Sequence, residues 1–212
     1  MLDGYTVLKN GVIRQTGWFV APKVYDVNYI RERYETYGEK NEQMSEVRFN
    51  NIVKVIGKVP KTILDIGYGN GSFLKYASKF CETYGSDISG YPIPEGSKFV
   101  DKIDDKEYDV VCMFDVLEHF TDPTEVKKIK TKYLAISVPW CHYEKHGDNW
   151  FRGWKHRRPD EHLWHFNSLS LPKFLEPFGY ELLDFSNVED QIRQSTLPDP
   201  NILTAIFEKV AC

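Results

Sequence analysis

No apolar run in the chain approaches the ~20 residues of a membrane-spanning helix, and Met1-Leu2-Asp3-Gly4 lacks the basic and apolar regions of a signal peptide. No membrane partner is therefore expected, and a cytoplasmic location is. Cysteine is scarce: Cys81, Cys112, Cys141 and Cys212 show no paired spacing, which argues against a disulfide framework and for a reducing compartment. Cys112 falls inside an apolar run, where it acts as a small buried hydrophobe. An excess of positive charge is missing too. With 27 Lys and Arg against 31 Asp and Glu, the formal net charge is -4, so composition gives no electrostatic footprint for a nucleic-acid backbone.

What the chain does have is 212 residues, enough to bury a sizeable core as one α/β domain with an extra segment. Its most informative stretch runs from Ile63 to Leu74. An apolar strand ends on Asp65, passes through Gly67, Gly69 and Gly71, and leads into a helical pattern. Glycine at such positions lets the backbone turn tightly and lie directly against a ligand. Spacing separates the cofactor readings. A P-loop needs Lys-Ser/Thr after its last glycine, but Gly71 is followed by Ser72-Phe73. The dinucleotide fingerprint needs glycine where Ser72 stands, although Asp87 lies at about the ribose-binding distance, so a nicotinamide-dependent oxidoreductase stays as an alternative.

The third pattern, acidic-x-Gly-x-Gly-x-Gly from Asp65 to Gly71, resembles motif I of the class I S-adenosylmethionine (AdoMet) methyltransferases. Two further pieces follow in the family's order. Tyr84 to Ser89 reads as a strand ending at Asp87, and Asp115-Val116-Leu117-Glu118-His119 is very like the family's D-V-L-E-H signature after the fourth strand. The resemblance covers residues 60–140 strongly and 155–209 in outline. It implies AdoMet as cofactor and S-adenosylhomocysteine as product. Asp65, Ile66, Gly67, Tyr68 and Gly69 would lie at the methionine end, and Asp87 and Ile88 at the ribose. Phe114, Asp115, Val116 and Leu117 would form the floor below the sulfonium and adenine. A carboxylate suits the ribose because it accepts two hydrogen bonds at once.

Alternating strand and helix patterns predict a doubly wound, mostly parallel, seven-stranded Rossmann-like α/β sheet. The strands are placed at 62–66, 83–87, 98–100, 108–114, 133–138, 180–187 and 201–209, the last two forming an antiparallel C-terminal hairpin as the resemblance implies. Only 21 residues separate Asp87 from Asp109, and Gly90, Pro92, Pro94 and Gly96 crowd the first of them. A crossover helix hardly fits there. The adenine side is therefore expected to be trimmed, with Asp101, Lys102 and Ile103 nearest the ring or simply in a charged loop. Residues 1–50 are expected to form an N-terminal hairpin and helical lid, and residues 51–212 the AdoMet-binding domain, with a substrate-wall insertion at about 139–168. The hairpin rests on Asn10-Gly11. Tyr25, Tyr29, Tyr34 and Tyr37 follow, the last three on a helix, either anchoring it through their rings or, with Arg48, meeting the methionine carboxylate.

The wall holds five of the six histidines and four of the five tryptophans. Beyond the carboxyl end of a sheet strand, it is the natural substrate side. Its indoles, imidazoles, carboxylates and guanidinium groups suit a polar, sugar-like or phosphorylated small molecule, with His156, Arg157 and Arg158 as a phosphate clamp or an exposed basic strip. His162, His165 and His119 are the candidate bases for a hydroxyl acceptor. His142 and His146 beside Cys141, with His162 and His165, have spacings that a zinc site would use. No metal is expected, because no Cys-x-x-Cys anchors the set and Pro139 and Gly147 break the element. Methylation of a base amino group is argued against by the missing Asn/Asp-Pro-Pro-aromatic run after the fourth strand. The leading expectation is O-methylation of a sugar or nucleotide-sugar-like hydroxyl. A non-catalytic AdoMet-fold module is the other alternative, and a wall packed shut would be its mark.

Overall fold

The computed structural model describes residues 2–17, 23–34, 38–193 and 198–210; Tyr37 and Cys212 lie outside them. Strands β1 (Tyr5–Val7) and β2 (Ile13–Gln15) pair across Asn10-Gly11. The Asn10 side chain accepts from the Val12 N–H at 3.2 Å, and Gly11 takes φ +85°, as a tight turn requires. Helices α1 (Val27–Tyr34) and α2 (Lys40–Ile56) follow. Then come β3 (Thr62–Ile66), α3 (Ser72–Ala77), β4 (Glu82–Ser86), β5 (Ser97–Phe99), β6 (Tyr108–Phe114) and β7 (Thr131–Pro139). Helix α4 (Tyr143–Gly153), β8 (Trp164–His165), α5 (Ser170–Leu175), β9 (Tyr180–Ser186) and β10 (Ile202–Lys209) complete the chain.

The main sheet has the order β5-β4-β3-β6-β7-β10-β9. Its first five strands are parallel, and β10 runs antiparallel to both β7 and β9. The seven-stranded α/β sheet and its antiparallel C-terminal pair are thus as expected. Strands β3, β6 and β7 are covered on both faces, which is why they read as continuous apolar runs and not as alternating ones. One face packs Leu64, Val111, Met113, Leu134 and Ile136 against Leu171, Phe174 and Leu175 of α5. The other packs Ile63, Val110, Cys112 and Ala135 against Phe49 and Ile52 of α2 and Phe73 of α3.

Strands β4, β5, β7, β9 and β10 shift by a residue or two from their expected bounds. The division after residue 50 falls inside α2, because Phe49 and Ile52 are both needed to cover the sheet. Strand β7 runs through Pro139, which pairs with Ile202, and Trp140 just beyond it still donates its N–H to the Asn201 carbonyl at 2.9 Å. The side expected to face adenine is short. No helix lies between β4 and β5 or between β5 and β6, and Ile103 packs against the core. The N-terminal hairpin is not separate from the wall. Strand β2 pairs with β8, Ile13 opposite His165, giving a second sheet of order β1-β2-β8. Among the described residues no helix is long and apolar enough to cross a membrane.

Candidate active site

The glycine turn connects the carboxyl end of β3 to α3, and all three of its glycines are left-handed, with φ of +72° at Gly67, +57° at Gly69 and +74° at Gly71. Side chains rarely adopt such angles. Space is short as well: a Cβ on Gly67 would lie 2.5 Å from Val116 Cγ2, and one on Gly69 would lie 2.8 Å from the Tyr34 hydroxyl. Tyr34, at the end of α1, therefore sits directly over the turn. Asp87 fastens it from the other side. Its Oδ2 accepts the Gly69 N–H at 2.8 Å and its Oδ1 accepts the Ser89 N–H at 2.7 Å. Next to it Ile88 stands 85% exposed, an open apolar surface at the edge of the turn. Asp65 and Ile66 are buried below. Burial pushes the Asp65 carboxyl up to about 8 against the opposing charge of Arg48, with Asp87 adding to the rise. Tyr68 is also buried and donates its hydroxyl to the Tyr91 carbonyl.

The segment after β6 forms the adjoining side. Phe114 and Leu117 are buried, and Val116 touches the glycine turn. Asp115, at φ +57°, turns its carboxylate into a network that no local sequence pattern announces. Arg193 donates to both Asp115 oxygens, one of them at 2.7 Å. Arg48 donates to Glu189 at 2.8 and 2.9 Å and to Asp115 at 3.3 Å, while its guanidinium lies 4.3 Å from the Phe114 ring centroid. Arg193 approaches Glu189 at 3.4 Å. The Glu189 side chain is fully buried, so both arginines are needed to keep its charge compensated. Burial opposes ionisation of Asp115, but the charges of Arg193 and then Arg48 hold its carboxyl far below the usual range. Arg48 is thus already bound within the protein. Its partners lie 67 and 141 residues away, which is why the sequence gives no sign of the network.

A second group lies one turn further along. Glu118 and His119 occupy the 3-10 helix Leu117–His119, and His162 reaches them from the wall, where the Leu163 N–H donates to the Glu118 carbonyl at 2.8 Å. The His119 and His162 rings meet edge to face with centroids 4.7 Å apart. Tyr25 covers His119, its hydroxyl 2.7 Å from Nδ1. Burial, reinforced by the charge of Asp115, raises the Glu118 carboxyl well above its usual range. Burial is also the main cause that lowers His119, and it carries His162 well below the normal imidazole value, with His119 adding to the effect.

His165 is not part of this group in the same sense. It is 3% exposed, and its ring packs on Tyr5, Phe151 and Trp154 with centroids 5.1–5.6 Å away. Its Nε2 is buried without a hydrogen-bond partner among the described residues. Burial carries its pKa down to about 3, helped by the charges of Arg157 and His156. Its other ring neighbour, His162, is itself held neutral by burial. His165 is therefore neutral in the folded chain and protonated in the unfolded one below about 6.5. The stability it contributes is complete above about pH 6.5 and is lost as pH falls toward 3. Urea unfolding at about pH 7 and about pH 5 is expected to show His165→Phe escaping roughly 2 kcal/mol of the acid-side loss. An identical pH dependence in both proteins would contradict this placement.

The wall uses much of its aromatic content on itself. Trp150 and Trp154 stack at 5.1 Å, His146 stacks on Trp150 at 5.4 Å, and Trp154 and Phe151 join Tyr5, Ile13 and Cys141 in a small core. The expected phosphate clamp is engaged elsewhere. Arg158 pairs with Glu161 at 2.9 Å, Arg157 lies over the Tyr5 ring and donates to the Asp3 carbonyl, and His156 bonds the Asn201 side chain. His142 and His146 also do not converge on a metal, being bonded to the Pro200 carbonyl and to Asp199. Cys81, Cys112 and Cys141 are free thiols.

Solved structures share this fold at low identity. One is magnesium protoporphyrin IX methyltransferase from Synechocystis with bound S-adenosylhomocysteine (SAH), 15% identical, with a TM-score of 0.59 and coverage of 88% of this chain and 96% of that one. Another is 1,6-didemethyltoxoflavin-N1-methyltransferase from Burkholderia thailandensis with its substrate and S-adenosylhomocysteine, 12% identical, with a TM-score of 0.57 and coverage of 99% and 100%. A third is an S-adenosylmethionine-dependent methyltransferase from Clostridium acetobutylicum, 11% identical, with a TM-score of 0.55 and coverage of 87% and 97%. At such identities these likenesses speak for the fold. No curated protein matches the chain. The family model described as methyltransferase domain matches residues 30–184, from α1 through the glycine turn and the segment after β6 into β9. The chain belongs to that family, the class I S-adenosylmethionine-dependent methyltransferases.

Proposed function

We propose that the protein transfers the methyl group of AdoMet to a hydroxyl of a small polar acceptor, a sugar or nucleotide-sugar-like molecule, in the cytoplasm. One observation carries the choice of a hydroxyl. Glu118 and His119, two and three residues beyond Val116, which touches the glycine turn, gather their lone pairs with that of His162 from the wall. A hydroxyl, unlike a neutral amine or a thiolate, needs help in losing its proton. On this reading Asp65, Ile66, Gly67, Tyr68 and Gly69 receive the methionine end, Asp87 and Ile88 the ribose and adenine, and Phe114 to Leu117 the floor. Holding the acceptor oxygen in line with the S–methyl bond supplies up to ~7 to 11 kcal/mol of the rate enhancement. Family membership sets the nicotinamide alternative aside.

The test is a thermal-shift titration with AdoMet and SAH, with NAD and NADP alongside, followed by SAH release in the presence of sugars and nucleotide sugars. A ligand at a hundredfold excess over its dissociation constant stabilises the fold by about 2.7 kcal/mol. AdoMet binding with SAH release that depends on a sugar-like acceptor supports the reading. The packed wall favours a second reading, a non-catalytic AdoMet-binding module, and binding without turnover on any acceptor would establish it. Asp87→Asn offers a finer check, because its one remaining acceptor oxygen can serve the Gly69 N–H, while its amide loses the bond from the Ser89 N–H and can no longer accept from both ribose hydroxyls. AdoMet affinity is expected to fall about 10- to 100-fold, equivalent to roughly 1.5–3 kcal/mol, with the melting temperature of the free protein little changed. Unaltered affinity in calorimetry would remove Asp87 from the ribose site.

A further inference from the structure

We propose that Glu118, His119 and His162 form a binding site for a divalent transition-metal cation. One ligand atom from each of the three lies within 4.8 Å of the others. Glu118 is 1% exposed, yet neither of its carboxylate oxygens has a hydrogen-bond partner among the described residues. A buried carboxylate left so is costly, and such groups are ordinarily paired or coordinate a metal. His119 Nε2 lies 3.9 Å from Glu118 Oε1, too far for a hydrogen bond.

The two imidazoles are prepared for the same task. His119 Nδ1 lies 2.7 Å from the Glu161 carbonyl, and His162 Nδ1 lies 2.9 Å from the His156 carbonyl. A main-chain carbonyl can only accept, so both rings carry their proton on Nδ1 and keep a lone pair on Nε2. Metal-ligating histidines are held in this way, with the far nitrogen donating to a carbonyl or carboxylate that fixes tautomer and ring direction. The Tyr25 oxygen, 2.7 Å from the same His119 Nδ1, shares that proton with the Glu161 carbonyl on the side of the ring away from Nε2. The donor set of two neutral nitrogens and one carboxylate suits zinc and its neighbours in the first transition row. It leaves positions open for a further ligand, as catalytic sites do. The His119 side chain is 16% exposed, so the cluster is reached from solvent at its edge.

The role of the cation rests on the proposed methyl transfer to a hydroxyl. Polarised by the cation, the acceptor O–H releases its proton to water. The oxygen then forms its bond to the methyl carbon while the C–S bond breaks, and sulfur keeps that electron pair, so the sulfonium becomes a neutral thioether. His119 and His162 act there as ligands and not as proton carriers.

The test uses the full chain, stripped with a chelator and titrated with Co2+, followed by visible absorption and thermal melting, and then with Zn2+ in competition. One equivalent of Co2+ with ligand-field bands and a raised melting temperature is expected, displaced by Zn2+. His162→Ala and Glu118→Gln should weaken Co2+ binding by about tenfold or more. Glu118→Gln keeps the side-chain shape, and it serves where an alanine variant fails to fold. His146→Ala, in the exposed pair with Asp199, should leave binding unchanged. Absence of a Co2+ equivalent in the native chain, or loss of it through His146→Ala alone, would overturn the site. AdoMet binding is measured separately in the stripped protein. A chain that binds AdoMet but no Co2+ refutes the metal site alone, and one that binds Co2+ but no AdoMet refutes the methyl-transfer reading alone.

Discussion

Replacing Gly69 by valine is expected to abolish AdoMet binding while leaving a folded protein. The residue sits at φ +57°, where a β-branched side chain is strained, and its added Cβ would come within 2.8 Å of the Tyr34 hydroxyl and 3.0 Å of the ring carbon that bears it. Tyr34 is the far end of a side chain at the end of α1 and can swing away, so the fold tolerates the change. The ligand cannot, because the new side chain projects over the surface where the cofactor would lie. Gly67 provides the contrast. A Cβ there would meet Val116 Cγ2 at 2.5 Å, and the short branched Val116 has little room to retreat without moving the backbone after β6. Gly67→Val should therefore lower the melting temperature as well as binding. Calorimetry with AdoMet, paired with thermal melts, separates the two, and Gly69→Val binding within a few-fold of the parent would mean that the turn is not the site.

Removing Arg48 is expected to be the most destabilising single change at the site. Its side chain is 12% exposed and bridges Glu189, fully buried, to Asp115. Breaking a buried pair by deleting one partner costs about 3–5 kcal/mol, because the other charge stays buried. Arg193, at 3.4 Å from Glu189, keeps Arg48→Met toward the lower end. The double variant Arg48→Met/Glu189→Leu should recover at least half of the loss, since replacing both charges by apolar groups is often close to neutral. Urea unfolding of the two singles and the double gives the coupling directly. A single variant within about 1 kcal/mol of the parent would show that the network contributes little, as exposed ion pairs do.

The legible parts of this protein are those that a short window specifies. Strands β3 and β6 were expected at 62–66 and 108–114 and occur there, because a parallel strand buried on both faces must be apolar along its whole length. The glycine turn is legible because positive φ and close approach leave glycine little competition at Gly67 and Gly69. Strand β5 and the missing crossover helix followed from counting residues between Asp87 and Asp109. What depends on distant residues was not legible. Helix α2 was cut at residue 50, because only the assembled sheet shows that Phe49 and Ile52 share one surface. His165 and His162 look alike in sequence, three positions apart, yet one faces an aromatic core and the other faces Glu118. Glu118 itself was read only as a letter of the D-V-L-E-H signature, since nothing local says that both its oxygens lack a partner.

The pairing of β2 with β8 ties the first strands of the chain to a segment about 150 residues later, Ile13 lying opposite His165. During synthesis the hairpin leaves the ribosome long before its third strand exists, so β1 and β2 must wait with an open edge until the whole parallel sheet and the wall have been made. A two-stranded hairpin is marginal alone in water, and closing so long a loop is slow to be rewarded. The second sheet thus cannot close before residue 165 has been made, while α5, β9 and β10 are made later still. Tyr5 and His165 pack against each other within it. Closure of this sheet therefore couples the first strands to the wall: until β8 is in place, His165 has no aromatic cage and His162 has no route to Glu118.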